Sequence, residues 1–441
     1  MSVYNQSISK THIIDPVYNR ANFRAEYRLE PETIYFSNLR LIGLGVEGTT
    51  GGKRYNALCG AYGIIKQIIL MDDNEVLDQL HEANRFLSFK MFNNENQKSM
   101  DVNNSIAKNA SGNAFLGLED GANSAGSKIT TWEVRPSTTG VIGGARGESR
   151  AWLDLKKALP LLSSLSALDT RQFKNLKVIV EYSSDLDDFM READDTNTAT
   201  YEAQLIADEI IDVNERKAQA WPGSVAYTSI EHDVVSVPAV TPTDADNTPV
   251  QTQRFKVNGF LNKSVGRVLI QKAPLLLGTY KTGNDNHNVG KWASSSFFGE
   301  KLNLRVNGVT KLAGQGITDE ASRLAVMHDA WGRCSAYPFS SSLAYEEADG
   351  TDRDVFIKTG NNDIGVLDYY GMFINDEVLD LQVDFERKGC YVYSSNPKDD
   401  AADAAATAAA VENAATDLHI FCEVYKTIQS QSDGSYLVSY V

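Results

Sequence analysis

The sequence repeats itself at a fixed distance, and this register limits what the chain can fold into more than any single motif does. Leu58-Cys59-Gly60-Ala61-Tyr62-Gly63 leads into the mostly apolar run Ile64 to Leu70, and 203 residues later Leu261-Asn262-Lys263-Ser264-Val265-Gly266 leads into Val268 to Ile270. The same 203-residue spacing separates Leu176-Lys177-Val178-Ile179-Val180-Glu181-Tyr182 from Leu379-Asp380-Leu381-Gln382-Val383-Asp384-Phe385. A third pair, Leu205 to Ile210 and Leu418 to Val424, stands 213 residues apart, and the alanine-rich stretch Ala401 to Ala415 supplies the extra ten. Runs of Leu, Ile and Val resemble one another by composition, so a single match carries little. A recurring offset with preserved order marks two tandem β domains of one kind.

The chain has 441 residues, enough for two or three domains with large cores. With 42% hydrophobic and 23% charged residues it has the make-up of a folded globular protein. Asp and Glu number 58 against 42 Lys and Arg, a net charge of −16. Such a surface repels a phosphate backbone, because non-specific nucleic-acid affinity comes from Lys and Arg displacing counterions. Direct DNA or RNA binding is therefore not expected. Met1 to Lys10 is polar and lacks the pattern of a secretory signal, and no apolar run reaches the roughly 20 residues of a membrane span. The chain is expected to stay in the cytosol where it is made. Cys59, Cys334, Cys390 and Cys422 are dispersed without a C-x-x-C pair and read as reduced, mostly buried thiols.

Along the chain, residues 1–29 read as an extended arm, 30–219 as the first β unit, 220–253 as a connector and 254–441 as the second unit. In the first unit, Ile34 to Ile42 mixes aromatic, β-branched and polar residues as a half-buried strand does, and Asn56 to Met71 is a second strand region. Asp73 is expected to cap a helix running to about Phe92, since Val76, Leu80, Ala83 and Leu87 recur at helical spacing. Asn93 to Lys128, rich in Asn, Ser, Gly and Ala, reads as a long surface loop and Thr130 to Arg135 as a short strand. A second glycine-rich stretch, Gly140 to Gly147, precedes an expected helix from Ser149 to about Leu168, which Pro160 must kink or restart. The connector holds four of the eleven prolines, Pro222, Pro238, Pro242 and Pro249, and suits an extended crossing segment. In the second unit Phe255 and Val257 alternate toward a core, and Leu302 to Val306 runs into Asn307-Gly308, a hairpin-turn dipeptide. Asp319 to Trp331 is expected to be a helix capped by Thr318 or Asp319, and the alanine-rich Asp399 to Ala415 a short helix between strands.

The sequence assigns no catalytic, cofactor-binding or metal-binding residue. Gly43-Leu44-Gly45-Val46-Glu47-Gly48 follows an expected strand, with Asp72 and Asp73 at about the spacing of a ribose-binding acid, so the dinucleotide fingerprint is formally present. Its mechanism needs a helix to start at the glycines. Gly51, Gly52, Gly60 and Gly63 occupy that window, and each costs roughly 1 kcal/mol relative to Ala inside a helix. A turn between antiparallel strands is the reading that remains. Gly48 to Lys53 misses phosphate-loop spacing, with Glu47 at the first glycine position and Arg54 at the last. His12, His81, His232, His287, His328 and His419 are scattered, without ligand spacing. Asp185, Asp187 and Asp188, and Asp349, Asp352 and Asp354, do not follow a calcium-loop pattern and read as solvated acidic loops. No G-x-S-x-G elbow marks a nucleophile. The sequons at Asn5, Asn103, Asn109 and Asn262 read as chance occurrences.

Two β-rich halves with long decorated loops and inserted helices resemble the double jelly-roll major capsid proteins of icosahedral double-stranded DNA viruses. The segment from Ile34-Tyr35-Phe36-Ser37-Asn38-Leu39-Arg40-Leu41 through Tyr62-Gly63-Ile64-Ile65-Lys66-Gln67-Ile68-Ile69-Leu70 is similar to capsid proteins of polinton-like and virophage-type viruses. The resemblance runs from about residue 30 to the C-terminus. It implies an all-β fold with a few inserted helices, built as two tandem eight-stranded jelly-roll sandwiches that leave few exposed edges. It implies a non-enzymatic shell subunit located in the virion, made in the host cytoplasm or nucleus, forming a homotrimer that acts as a pseudo-hexameric capsomer. Partners would be neighbouring capsomers, penton proteins and minor capsid proteins, and an inner membrane is left open. The loops Asn93 to Lys128 and Gly283 to Ser296 would form towers or capsomer contacts, and the arm Met1 to Leu29 would lie beneath or swap onto a neighbour. The main alternative is a carbohydrate-binding or carbohydrate-active β-sandwich, for which Trp132, Trp221 and Trp292 are the stacking candidates. A phage spike or baseplate component is a third reading, and a dinucleotide-dependent enzyme ranks last.

Overall fold

Two β-sandwiches follow one another along the chain, and the order of strands within each is the same. The computed structural model describes residues 9–19, 23–44, 54–55, 60–93, 151–183, 190–191, 203–218, 221, 223–238, 250–274, 300–312, 320–331, 344–346, 352–354, 369–388, 390–392, 409–411, 416–430 and 436–441. In the first sandwich the strands are β1 (Ser9–Ile14), β2 (Arg24–Arg28), β3 (Ile34–Phe36), β4 (Arg40–Leu44), β5 (Ile65–Asp72), β6 (Glu75–His81), β7 (Ala151–Asp154), β8 (Ala167–Asp169), β9 (Leu176–Tyr182) and β10 (Gln204–Ile210). In the second they are β11 (Ser224–Val237), β12 (Val250–Val257), β13 (Lys263–Pro274), β14 (Glu300–Val306), β15 (Val309–Thr310), β16 (Tyr369–Val378), β17 (Leu381–Lys388) and β18 (Thr416–Ser430), followed by a terminal β19 (Tyr436–Tyr440).

One sheet of the first sandwich runs β1-β10-β4-β7, with β3 and β8 prolonging the β4 and β7 rows, and the other runs β2-β9-β5-β6, with the short strand Val17–Asn19 paired along the outer edge of β2. The second sandwich has β11-β18-β13-β16 facing β12-β17-β14-β15. Counting each interrupted row as one strand, both halves read 1-8-3-6 over 2-7-4-5. Placing the first strand beside the eighth is the jelly-roll form of the Greek key, so the expected pair of eight-stranded sandwiches is what forms. Side-chain alternation builds the second core: Val265, Val268 and Ile270 from β13 and Leu418, Ile420 and Cys422 from β18 meet Leu302, Leu304, Val383 and Phe385 of the opposite sheet.

Two of the three sequence repeats join equivalent strands. Leu176 to Tyr182 and the run ending at Phe385 lie in the seventh strands, β9 and β17, and the third pair lies in the eighth, β10 and β18. The first pair does not: Ile64 to Leu70 enters the fourth strand, β5, whereas Val268 to Ile270 belongs to a third strand, β13. Both are central apolar strands, so composition alone made them alike.

Several local expectations are corrected. Within the expected arm, residues 9–14 and 24–28 are not free, since β1 pairs with β10 over its whole length and β2 with β9. Residues 220–253 are not simply a connector, because β11 pairs with β18 through fourteen positions and β12 begins at Val250. Pro238 directly follows β11 rather than interrupting it, and Pro222 lies outside the described residues. Asp73 starts a two-residue turn at φ 50°, and Val76 and Leu80 sit in strand β6; the helix, α1, spans only Ala83–Asn93. Ser149 to Leu168 is strand β7, then α2 (Pro160–Ser164) with Pro160 at its first turn, then β8. Ala409–Val411 pairs as a strand with Cys390–Val392, so that end of the alanine tract is not helical. Asn307-Gly308 does make the β14–β15 turn, with φ 52° and 78°, and the expected second-half helix is α3 (Glu320–Trp331). Asn93 itself ends α1, while the remainder of the loop to Lys128, the Thr130 to Arg135 strand, Gly140 to Gly147, Gly283 to Ser296 and the cap of α3 lie outside the described residues.

The duplication extends to a hydrogen-bonding device at the end of each fourth strand. Asp72 accepts the backbone N–H groups of Lys174 (3.2 Å) and Asn175 (2.6 Å), while the Asp73 N–H donates to Asn175 O. Asn307 Oδ1 accepts from Leu379 (2.8 Å) and Asp380 (3.1 Å), while its own N–H donates to Asp380 O. Both clamps tie the fourth–fifth hairpin to the turn before the seventh strand. A buried N–H left without its acceptor costs about 1–3 kcal/mol. Asp72→Ala is expected to lower stability by about 2–3 kcal/mol in denaturant titration, while Asp72→Asn, which keeps an amide acceptor like that of Asn307, recovers most of the loss.

Candidate functional site

The most densely interlocked polar and aromatic residues lie where the two sandwiches meet. Strand β6 of the first abuts β11 of the second, and α2 packs on β11 as well. Leu269 and Phe421 point away from the second core and join the core of the first sandwich, together with Tyr227, Ile230, Met327 and Trp331. Phe86 of α1 meets Phe421 and Trp331, and Phe89 meets Trp331, with ring centroids 5.5–6.1 Å apart. Trp331 donates to Val268 O at 2.9 Å, and the Arg267 guanidinium lies 4.1 Å above its ring while forming a two-pronged pair with Glu423. Gly371 is needed beneath that ring, since a Cβ there would lie 2.6 Å from Trp331 Cδ1.

Polar groups cross the same seam. Asp78 of β6 is fully buried and accepts from the Leu161 N–H of α2 (2.9 Å), Ser229 Oγ of β11 (2.7 Å) and the Gln79 N–H. Tyr227 donates its hydroxyl to Leu77 O. Beside them, Glu231 takes Lys263 (2.6 Å), Lys426 (2.9 Å) and the Tyr440 hydroxyl (2.9 Å), and both lysines lie over the Tyr440 ring. Burial raises the Glu231 pKa, but the two lysines outweigh it and hold the carboxyl below its ordinary range. The terminal strand closes the seam: Tyr436 donates to Asp72 at 3.0 Å and packs edge-on against Phe173, which also meets Trp221.

His232 and His419, 187 residues apart in sequence, stack at 18° with Nε2 and Nδ1 2.9 Å apart. Sequence spacing could not reveal this pair, which depends on the β11–β18 register placing His232 opposite Phe421. A cleft of about 260 Å³ opens beside them, lined by Lys66, Gln67, His81, Glu82 and His232. Among the described residues no group of three His, Cys, Asp or Glu could hold a metal ion. Gly43, from the formal dinucleotide fingerprint, has φ 74° and sits at a bulge where β4 shifts register against β7. Of the stacking candidates, Trp221 is engaged with Phe173, whereas Trp132 and Trp292 lie outside the described residues. Asp352 and Asp354 fall in a short strand paired with Ala344–Glu346, and Cys422 is a buried thiol. The polar and aromatic residues at the seam bond chiefly to one another.

No protein-family model matches the sequence, and no curated protein matches it. The fold does match solved structures. PBCV-1 VP54, fitted into a reconstruction of the virophage Sputnik, aligns over 100% of this chain and 99% of its own at a TM-score of 0.54 and 11% identity. The mavirus major capsid protein aligns over 100% and 92% at 0.51 and 10% identity, and that of Faustovirus over 97% and 92% at 0.50 and 6%. The chain has the double jelly-roll capsid fold.

In this double jelly roll the seam contains two titrating groups of opposite sense. Burial lowers the His232 pKa to about 4, with Glu82 opposing and Arg85 and His81 reinforcing the change, and burial likewise lowers His419. Burial raises Asp78 to about 6, against its hydrogen bonds from Leu161 and Ser229 and the charge of Lys426. An unfolded histidine takes up its proton near 6.5, so acidification from there toward 4 favours the unfolded chain, by about 1.4 kcal/mol for each pH unit crossed. Asp78 does the reverse: folded it binds a proton near 6 and unfolded near 3.8, so acidification over that window stabilises the fold. Relative to wild type, Asp78→Asn is expected to lose Tm progressively as pH falls from about 6.5 to about 4.5, and His232→Phe to gain Tm over the same range. Thermal unfolding followed by circular dichroism across pH checks both signs.

Proposed function

We propose that this protein is a major capsid protein, a structural subunit of an icosahedral viral shell. The observation that carries the reading is the end-to-end match to capsid proteins, in which both sandwiches and the junction between them align over essentially the whole of each chain. In this reading three chains associate, so that six sandwiches of one topology surround a common axis and present a pseudo-hexameric outline. Such units tile a flat facet, and penton and minor capsid proteins fill the vertices and joints. The protein then resides in the virion after synthesis inside the host cell.

The physical chemistry supports assembly over catalysis. The ion pairs beside the seam, Glu231 with Lys263 and Lys426 and Arg267 with Glu423, brace strands β11, β13 and β18 of the second sandwich, while Ser229 with Asp78, Tyr227 with Leu77 O and Tyr436 with Asp72 bond across to the first and give the two sandwiches a fixed relation. A fixed relation is what a tiling subunit needs, because an error in the angle between sandwiches would grow across a facet. The net charge of −16 suits a wall that encloses nucleic acid without binding it.

Size-exclusion chromatography with light scattering is expected to give a species of roughly 145 kDa from three 48.5 kDa chains, or larger shells, with pseudo-hexagonal outlines in negative-stain images. A stable monomer at micromolar concentration overturns the reading.

A further inference from the structure

The cleft of about 260 Å³ at the junction takes its walls from both sandwiches: Lys66 and Gln67 from β5, His81 from the end of β6, Glu82 beside it, and His232 from β11. It has room for several waters at roughly 30 Å³ each. The carboxylates that face its histidines are already engaged. Glu82 is paired with the buried guanidinium of Arg85 at 3.0 Å, Glu181 lies 3.9 Å from Arg24, Glu231 is taken by Lys263 and Lys426, and Asp233 accepts the Gly259 N–H at 2.9 Å. Lys66, by contrast, forms no ion pair among the described residues. Helix α1 begins at Ala83, directly after Glu82, so the positive end of its dipole lies at the same place.

Both lining histidines keep one ring nitrogen in reserve. The Gln67 amide N–H donates to His81 Nε2 at 3.2 Å, which puts the His81 proton on Nδ1. His232 uses Nε2 on His419 Nδ1 at 2.9 Å, and that leaves its own Nδ1 for the cleft. Between two neutral imidazoles a single proton makes this bond, and one more proton fits without breaking it. His232 Nε2–H then donates to the bare Nδ1 of His419, while His232 Nδ1–H becomes a further donor. A negatively charged ligand that accepts at Nδ1 therefore favours the charged form of His232. Without such a ligand burial lowers the His232 pKa to about 4, with Arg85 and His81 reinforcing and Glu82 and Asp233 opposing, so the ring is largely neutral at pH values above that.

We propose that this cleft binds a phosphate group, held by Lys66, His81 Nδ1–H and His232, and that one proton enters with it at His232. Donors arriving from separate strands suit a tetrahedral oxyanion, and Lys66 together with a charged His232 balances two negative charges. No bond in the ligand is made or broken, and the proton comes from solvent to His232 Nδ1. Lys66 and His81 belong to one sandwich and His232 to the other, so the bound anion ties the two together and stabilises the seam. The site lies within one chain and does not depend on assembly.

Titration calorimetry of the full chain with sodium sulfate tests this, because sulfate has the shape and charge of a phosphate dianion and keeps that charge as pH changes. At about pH 5 one sulfate per chain is expected to bind with uptake of nearly one proton, counted by repeating the titration in buffers of different ionisation enthalpy. Affinity is expected to fall about tenfold by about pH 7, the change that one linked proton allows. Sodium chloride at equal ionic strength should give no saturable heat. Lys66→Ala, at an exposed position, should keep the wild-type circular dichroism and bind sulfate roughly tenfold or more weakly. His232→Gln, whose amide can still donate to His419, should bind weakly at both pH values and without proton uptake. No saturable sulfate site in the wild-type chain at about pH 5 overturns the proposal. So does binding without proton uptake, a Lys66→Ala chain as tight as wild type, or proton uptake that survives in His232→Gln.

Discussion

Burial of strand β18 on both of its faces joins the two halves into one molecule. Leu418, Ile420 and Cys422 fill the second core, while Phe421 between them reaches across to Phe86 and the first core. The same strand pairs with β11 along its full length on one side, and with β13 and then β19 on the other. Each link restricts the others. A one-residue slip of this ladder would send Phe421 into the wrong core and His419 and Lys426 away from their partners.

Polar chemistry then makes the junction specific where hydrophobic contact would only make it sticky. Asp78 is acceptable in a buried strand because three donors converge on it, two of them from elements that must be docked for the bond to exist. Glu231 is held by two lysines and a tyrosine of its own sandwich, which fixes β11 against β13, β18 and β19 beside the seam. Removing water from such groups costs several kcal/mol per charge unless every partner arrives. Arrangements of the sandwiches that would part Asp78 from Ser229 are therefore penalised.

Local sequence carried the parts of the fold that obey local rules. Asn307-Gly308 predicts its turn because both positions take positive φ, and Glu320 to Trp331 keeps helical spacing. The seventh and eighth strands were recognisable in both halves as apolar runs at matched distances. The errors fall where a strand's environment is supplied by distant residues. Strand β11 reads Ser-Val-Ala-Tyr-Thr-Ser-Ile-Glu-His-Asp, with polar residues that looked like linker because their partners Asp78, Lys263 and His419 lie far along the chain. Strand β1 is a half-exposed edge with few apolar residues, and so resembled an arm. Strand β6 satisfied a helical pattern in Val76 and Leu80, continued by Ala83 in α1, while obeying the pairing demands of β5.

The sequence by itself determined that the chain is duplicated, β-rich, acidic and without a spaced set of catalytic or metal-binding residues. Those properties follow from composition and short-range periodicity, which need no knowledge of neighbours. Tertiary structure decided which runs are true counterparts, which edges face each other and which charges are buried. It brought Tyr436 to Asp72 across 364 positions, Asp78 to Ser229 across 151 and His232 to His419 across 187. The interleaved strand order of the Greek key puts strands from opposite ends of a domain side by side. For that reason the seam exists only once the chain has folded.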